Sequence, residues 1–240
     1  MVKDILTGRS KPLQSLINLF PKSLRLRFNP RRRAIENFMT QSSKKIVKNE
    51  HVLDAGAGPC PYKNLFNHTR YEATDFTDPH KILDFTCSLD NIPKKTNSYD
   101  AVISTEVLEH VENPQKVIDE FYRILKLKGR LFLTTPQQYM MHQKPYNFFY
   151  FTRYGLESLL KNAGFKKYEI EPMGGYFLAL ADMIKFNSLL VKEANKIIYS
   201  PLKIIGFPFT QILFPLILSS LDFIDKKRDW TMGYIVEAIK

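Results

Sequence analysis

The sequence contains little cysteine, glycine or proline, with 2 Cys, 10 Gly and 14 Pro in 240 residues. Cys60 and Cys87 have neither the spacing of a metal site nor the number needed for a disulfide framework. So little glycine and proline excludes a collagen-like or low-complexity chain. The N-terminus lacks an uninterrupted apolar stretch followed by a small-residue cleavage site, so no secretory signal is predicted. We therefore expect a folded protein in a reducing, cytoplasmic compartment.

Acidic residues are scarce at one end of the chain. The formal net charge is +11, a value typical of nucleic-acid binders. Residues 1–48, however, carry twelve Lys or Arg and two acids, whereas residues 49–175 balance at −1 and residues 176–240 at +2. Apolar residues at helical spacing interleave the bases of the first segment, which predicts an amphipathic arm interrupted at Pro21 and Pro30. Such an arm indicates either a membrane or partner surface or a solvated helix.

The middle of the chain alternates short apolar segments with helical ones, as parallel α/β domains do. A helix is predicted over 114–127, with Gly129 as its stop. Another is predicted over 152–162, between Thr152 and Gly164. The strand segments are 52–54, 71–74, 81–84, 101–104, 130–134 and 165–170.

A glycine-rich turn follows the first strand segment. The turn 55–58 (AGAG) has two glycines, which let a backbone approach a ligand closely. A dinucleotide fold would have a third glycine near Pro61, so a dinucleotide is disfavoured. Asp75 ends the second strand segment seventeen residues after Gly58, where an acid can accept hydrogen bonds from ribose hydroxyls.

Six segments carry a family resemblance: 51–62 (HVLDAGAGPCPY), 71–76 (YEATDF), 98–111 (SYDAVISTEVLEHV), 121–136 (FYRILKLKGRLFLTTP), 154–165 (YGLESLLKNAGF) and 232–240 (MGYIVEAIK). In this order they resemble the class I S-adenosylmethionine-dependent methyltransferases of the seven-strand family, small-molecule or saccharide-tailoring type. The resemblance implies an α/β fold with a doubly wound, Rossmann-like sheet of order 3-2-1-4-5-7-6. Its last strand would be antiparallel, with a helical insertion before it, and S-adenosyl-L-methionine would bind at the carboxyl ends of the first strands.

The resemblance implies eight cofactor-binding residues: Asp54, Gly56, Gly58, Asp75, Phe76, Asp84, Ser88 and Glu106. The first three would contact the amino acid part of the cofactor, Asp75 its ribose, Phe76 its adenine and Glu106 its methionine end. Ser88 stands where many members place an aspartate for the adenine amine. The contact to the adenine amine would then be made by Asp84, expected at the end of the third strand, or by the backbone.

Two histidines are the predicted catalytic bases, and no metal is required. His110 lies in 106–110 (EVLEH), after the fourth strand. His142 lies in 134–156, which resembles the family's loop after strand five but has Gln143 in place of an acid. A pKa near 6.5 suits an imidazole for removing the proton of a hydroxyl acceptor. The aromatic residues of the loop would close over a flat or apolar acceptor, or pack against the next helix.

An apolar stretch precedes the last strand. Residues 204–221 carry no charge, and their length would allow a transmembrane helix. Gly206, Pro208 and Pro215 interrupt the stretch, and a single crossing would separate the last strand from its sheet. The stretch therefore predicts a membrane-surface element, a lid for a lipid-like acceptor or a structural cap, with Lys226–Arg228 as a juxtamembrane cluster.

We predict three regions: an arm (1–48), a cofactor-binding domain (49–173 with 230–240) and an apolar helical insertion (174–229). The predicted function is methylation, on oxygen, of a small-molecule, saccharide or lipid-linked acceptor. The alternative is a catalytically silent fold that serves as a membrane or partner adaptor.

We also predict an anionic membrane surface as partner, through 1–48 and 204–228, with a peripheral location on the inner face of the membrane. No nucleic-acid partner is expected. The segment 104–107 (STEV) replaces the Asn or Asp, Pro-Pro, aromatic signature of the adenine-methylating members.

Overall fold

The computed structural model describes residue 26 and residues 29–190 and 209–240. Most of the predicted amphipathic arm, with its interruption at Pro21, and residues 204–208 of the apolar stretch lie outside these residues. The chain divides into two compact units. The sheet unit comprises 35–137, 146–171 and 233–240, and the insertion unit comprises the described residues of 1–34, 138–145 and 172–232. The three regions predicted from the sequence stay a prediction.

Seven strands form one sheet in the order β3-β2-β1-β4-β5-β7-β6. The strands are β1 His51–Ala55, β2 Arg70–Asp75, β3 Phe85–Thr86, β4 Tyr99–Thr105, β5 Leu125–Pro136, β6 Lys167–Pro172 and β7 Gly233–Ile239. Strand β1 pairs in parallel with β2 and β4, whereas β7 runs antiparallel to β5. The predicted Rossmann-like order and the antiparallel last strand are confirmed.

The described residues form five α-helices: α1 Pro30–Lys44, α2 Pro114–Ile124, α3 Arg153–Ala163, α4 Tyr176–Leu190 and α5 Phe214–Leu221. Short 3₁₀ turns lie at Lys63–Phe66, Leu108–His110 and Asp222–Ile224, and a π-helical turn lies at Phe209–Leu213. Helices α4 and α5 confirm the helical insertion predicted before the last strand.

The ends of α2 and α3 test the predicted helix signals. Thr152 caps α3 through its hydroxyl, and Gly164 ends that helix with a left-handed φ of 105°, as predicted. Helix α2, in contrast, ends at Ile124, because Leu125 turns to an extended conformation and begins β5. The prediction of a helix to residue 127 is therefore wrong, and Gly129 lies within β5 rather than at a helix end.

The third strand also differs from the prediction. It was expected over 81–84, but β3 is Phe85–Thr86. The Asp78 carboxylate accepts hydrogen bonds from two backbone N–H groups of the expected strand, at 3.0 Å each. Such a local bond offers the backbone an alternative to a strand ladder. Asp84 consequently precedes β3 instead of ending it.

The core of the sheet unit holds the strand ends in place. Helix α2 buries Val117, Ile118, Phe121 and Ile124, a stripe with the three-to-four spacing of an amphipathic helix. Burying such a side chain stabilises a fold by roughly 1.5–3 kcal/mol. Tyr99 is also fully buried, and its hydroxyl donates to Glu72 at 2.6 Å. This buried packing supports the strands whose carboxyl ends form the edge of the sheet.

A buried arginine organises part of the insertion unit. The Nε of Arg31 donates to Asp182 Oδ2 at 2.9 Å, and its Nη2 donates to the carbonyls of Gln138 at 2.6 Å and Met232 at 2.9 Å. The guanidinium also lies 4.6 Å from the centre of the Tyr139 ring. Arg31 is therefore an interior group, although the sequence places it within the basic arm.

None of the described helices is both long enough and apolar enough to cross a bilayer.

Candidate active site

Six of the eight predicted cofactor residues lie where three neighbouring parallel strands end: Asp54, Gly56, Gly58, Asp75, Phe76 and Glu106. In the sheet, β1 lies between β2 and β4, with Ala55 paired to Thr74 and Asp54 paired to Ile103. The turn after β1, Asp75 and Glu106 consequently follow the same edge. Ligands of open α/β sheets bind outside this carboxyl edge.

The turn after β1 depends on two glycines with left-handed backbones. Gly56 has φ +80° and Gly58 has φ +51°. A Cβ on Gly56 would lie 2.4 Å from Val107, whereas a Cβ on Gly58 would meet no atom within 4 Å. Gly56 is therefore needed for close packing against the residue that follows Glu106. Gly58 leaves open space in which a ligand can approach the backbone.

Asp75 ties the glycine turn to the end of β2. Its Oδ2 accepts from Gly58 N at 2.9 Å, and its Oδ1 accepts from Phe76 N at 2.6 Å. Each carboxylate oxygen has a second lone pair, so ribose hydroxyls could still donate to it. The side chain of Phe76 is 72% exposed, which leaves its ring available to an adenine.

Asp54 is a buried carboxyl group at the end of β1. Tyr71 donates to its Oδ2 at 2.5 Å. Burial raises the pKa of Asp54 to about 7; the bond from Tyr71 opposes this shift and the charge of Asp75 adds to it. A bound ammonium group would favour the ionised carboxylate. Sequence reasoning missed Tyr71, because only the pairing of β1 with β2 brings its hydroxyl to Asp54.

Glu106 follows β4 with an unusual backbone. Its φ is +55°, a conformation that non-glycine residues rarely adopt and that often marks functional sites. The backbone N–H of Glu106 donates to the Thr134 carbonyl at 3.0 Å, and the Thr134 hydroxyl donates to Glu106 Oε1 at 3.1 Å. Thr134, on β5, therefore orients this carboxylate, and nothing in its sequence position indicated that role.

The two predicted adenine contacts are engaged elsewhere in the sheet unit. Asp84 accepts from Ala73 N at 2.8 Å and donates its own N–H to the Ala73 carbonyl at 3.0 Å. The Ser88 hydroxyl donates to Asp90 at 2.5 Å. These bonds fix Asp84 to β2 and Ser88 within its own turn. Their roles at the adenine stay predictions.

His110 is held as a neutral imidazole on the 3₁₀ turn after β4. Its Nδ1 lies 2.5 Å from the Tyr146 carbonyl, which can only accept, so Nδ1 carries the proton and Nε2 the lone pair. Burial lowers the pKa of His110, against the opposing effects of the Tyr146 bond and the charge of Asp75. Its Nε2 is buried and lies 3.7 Å from Glu109 Oε1, beyond hydrogen-bond distance.

His142 belongs to the insertion unit, not to the sheet unit that contains His110. Its Nδ1 lies 3.0 Å from the Met140 carbonyl, and its ring stands edge-on to Tyr139 with centroids 4.8 Å apart. The Arg31 guanidinium also packs over this Tyr139 ring. A catalytic role for His142 stays a prediction.

The sheet order agrees with the comparison to known families. A family model described as a methyltransferase domain matches residues 26–170. The chain belongs to this family. It is a class I S-adenosylmethionine-dependent methyltransferase, and its cofactor is S-adenosyl-L-methionine. The edge residues fit that cofactor, because the open side of Gly58, the exposed Phe76 and the Asp75 carboxylate lie at one end of β1 and β2.

Individual relatives are distant or match only a short segment. The chain is 45% identical over 51 residues to the mitochondrial ubiquinone biosynthesis O-methyltransferase of Bos taurus. This match covers 21% of this chain and 14% of that protein. A SAM-dependent methyltransferase from Archaeoglobus fulgidus has a TM-score of 0.57 at 13% identity, covering 87% of this chain and 94% of that one.

A third similar protein has its cofactor bound. Haemonchus contortus phosphoethanolamine N-methyltransferase 2, in complex with S-adenosyl-L-methionine, has a TM-score of 0.52 at 15% identity. The match covers 81% of this chain and 49% of that one. At such identities the two solved structures share the fold with this chain, and their acceptors are their own.

Proposed function

We propose that this methyltransferase acts on a hydroxyl oxygen of a small, flat or apolar molecule. The observation that carries the proposal is the setting of His110, which stands on the 3₁₀ turn after β4 with its Nδ1 bound to the Tyr146 carbonyl. A neutral imidazole with its lone pair on Nε2 can take the proton of a hydroxyl during methyl transfer. Because Nε2 is buried, an acceptor reaches it only after a neighbouring side chain moves.

Aromatic side chains next to His110 support an apolar acceptor. The carbonyl that binds His110 belongs to Tyr146, the first of four exposed aromatic residues: Tyr146, Phe148, Phe149 and Tyr150. The backbone N–H of Phe148 donates to the Glu109 carbonyl at 2.8 Å, which ties this aromatic segment to the His110 turn. Ligand sites for small molecules are lined mainly by such side chains.

The cofactor supplies a methyl group already activated on a sulfonium, so the chain's task is to bind and orient. In this proposal Asp54 accepts from the ammonium of the amino acid part, and the turn Gly56–Gly58 leaves room for it. Asp75 would accept from the ribose hydroxyls, Phe76 would contact the adenine, and Glu106 would lie at the methionine end. Near-attack geometry of the acceptor then provides most of the rate.

Oxygen is favoured over nitrogen by the local identity to an O-methyltransferase and by the base that a hydroxyl requires. Three further parts of the prediction remain proposals. They are a saccharide or lipid-linked acceptor, His142 as a second base and a peripheral membrane location. Family membership favours an enzyme over the adaptor alternative.

A base-specific substitution tests the role of His110. The asparagine of His110→Asn keeps a donor near the Nδ1 position for the Tyr146 carbonyl but removes the base. With labelled S-adenosyl-L-methionine and a panel of phenols, sugars and amines, we expect phenols to be methylated. We expect His110→Asn to lower kcat by ~10²–10⁴-fold with unchanged cofactor affinity.

The matched control is His80→Asn, at an exposed histidine of the sheet unit, which should keep full activity. Full turnover by His110→Asn, or methylation of amines alone, would overturn the proposal.

A further inference from the structure

Residues 209–224 form a helical segment that directs apolar side chains to solvent. Leu213 and Ile217 are 44% and 45% exposed, and Phe223 is 75% exposed. Three-to-four spacing brings such residues to one side of a helix, where a surface helix normally carries polar groups. We call the exposed apolar residues of this segment the apolar face: Phe209, Leu213, Phe214, Leu216, Ile217, Phe223 and Ile224.

The acidic residue of the same segment lies inside. Asp222 is 7% exposed. Its carboxylate accepts from Gly175 N at 3.0 Å and from Leu178 N at 3.1 Å. Asp225 accepts from Tyr176 N at 2.7 Å. These are N–H groups at the start of α4, which have no partner within their own helix.

The two carboxylates therefore fix the orientation of the segment. If it turned the apolar face inward, the first turn of α4 would lose the partners of its N–H groups and Asp222 would lose its buried bonds. A buried polar group that loses its hydrogen-bond partners is unfavourable. The outward direction of the apolar face is thus held by hydrogen bonds and is not a loose arrangement.

Basic and aromatic residues border the apolar face. Lys226, Lys227 and Arg228, which lie between Asp225 and Asp229, are exposed, and Trp230 is 50% exposed. Tryptophan is enriched at membrane interfaces, and clustered Lys and Arg are attracted to anionic lipids.

We propose that the apolar face docks on the surface of an anionic lipid bilayer. The apolar side chains would enter the boundary between headgroups and acyl chains, and Lys226–Arg228 would lie among the headgroups. This docking does not depend on the acceptor, and it leaves binding of S-adenosyl-L-methionine unchanged.

Vesicle flotation of the full chain tests the proposal. We expect it to float with vesicles of equal parts phosphatidylcholine and phosphatidylglycerol, less with phosphatidylcholine alone, and less at high salt. Leu213→Glu with Ile217→Glu should lower partitioning at least ~10-fold. Lys226→Gln with Lys227→Gln should lower it about fivefold per charge.

Matched variants at exposed positions of the sheet unit serve as controls. Leu127→Glu replaces a leucine that is 78% exposed in β5, and Lys166→Gln with Lys167→Gln replaces an exposed basic pair. Both should float like the wild type, and all variants should bind S-adenosyl-L-methionine alike in calorimetry.

Two results would overturn the proposal. One is equal flotation of Leu213→Glu/Ile217→Glu and the wild type, or no flotation of either. The other is a concentration-dependent dimer in ultracentrifugation that this double variant abolishes, because the face would then bind a second copy.

Discussion

The sheet unit and the insertion unit differ in the partners of their buried carboxyl groups and in where their apolar side chains lie. In the sheet unit, apolar residues fill the interior, and the buried Asp54 at the ligand edge has its pKa raised to about 7. In the insertion unit, Asp182 and Asp222 are buried and bound by Arg31 and by helix N–H groups, whereas the apolar face is exposed.

The difference indicates two uses for a buried carboxyl group. Asp54 has one neutral donor, Tyr71, so its charge is left for a ligand to stabilise. Asp182 and Asp222 already have partners that stabilise a negative charge. They hold helices in fixed orientations, which is a structural role.

The largest effect is expected from Arg31→Met. This change leaves Asp182 buried without its guanidinium, and such a loss lowers the free energy of unfolding by about 3–5 kcal/mol. The double variant Arg31→Met/Asp182→Leu should recover most of that loss, because no unpaired charge remains. Urea unfolding measures both. Equal destabilisation of the single and double variants would show that Asp182 does not need Arg31.

Substitutions of Gly56 and Gly58 in the sheet unit should differ in their effect on the free energy of unfolding. Gly56→Ala places a Cβ 2.4 Å from Val107 at φ +80°, and we expect it to cost about 2–3 kcal/mol of unfolding free energy. Gly58→Ala meets no atom within 4 Å and should cost only about 1 kcal/mol. Thermal and urea unfolding compare the two. A larger loss for Gly58→Ala would contradict the packing described here.

The raised pKa of Asp54 predicts a pH dependence of stability. Between the ordinary value of 3.8 and about 7, the folded state keeps the Asp54 proton while the unfolded state releases it. The unfolded chain then binds fewer protons, so the contribution of this group to stability falls as pH rises through that window, by up to about 1.4 kcal/mol per pH unit.

Asp54→Asn removes this titration. The unfolding free energies of wild type and variant, measured from pH 4 to pH 7, should therefore converge at the acid end. Toward neutral pH they should separate, because the unfolding free energy of the wild type falls relative to that of the variant. Parallel curves would rule out a raised pKa at Asp54.

The smallest effect is expected at the start of α4. Asp222→Ala removes the acceptor of Gly175 N and Leu178 N, and loss of a helix cap costs about 1 kcal/mol. Asp225→Ala should cost less, since its carboxylate is exposed to water. Urea unfolding of the two variants provides the check, and a larger loss at Asp225 would contradict the assignment of Asp222 as the main cap.

Most of the sheet unit was predictable, because its signals are local. Apolar segments and the turn residues Thr152 and Gly164 mark elements that the structure confirms, and the family resemblance supplied the strand order. The end of α2 was missed because Leu125 continues the apolar pattern while its backbone is already extended. Pattern alone does not distinguish the last turn of a helix from a buried strand.

The insertion unit and parts of the site were less predictable, because their bonds join distant residues. Arg31 and Asp182 are 151 positions apart, and the sequence gives Arg31 the appearance of one more base in a solvated arm. Tyr71 and Thr134 likewise reach Asp54 and Glu106 only through strand pairing. The helical insertion was predicted, but the bounds of α4 were not, because its sequence is largely apolar and has no amphipathic pattern to mark them.

Calorimetric titration with S-adenosyl-L-methionine tests the ligand edge most directly. We expect the wild type to bind and Asp75→Asn to bind about 10–100-fold more weakly, since a hydrogen bond to a charged acceptor is lost. Asp119→Asn, at an exposed carboxylate of α2, should bind like the wild type. No binding by the wild type, or unchanged affinity in Asp75→Asn, would contradict a cofactor site at the ends of β1 and β2.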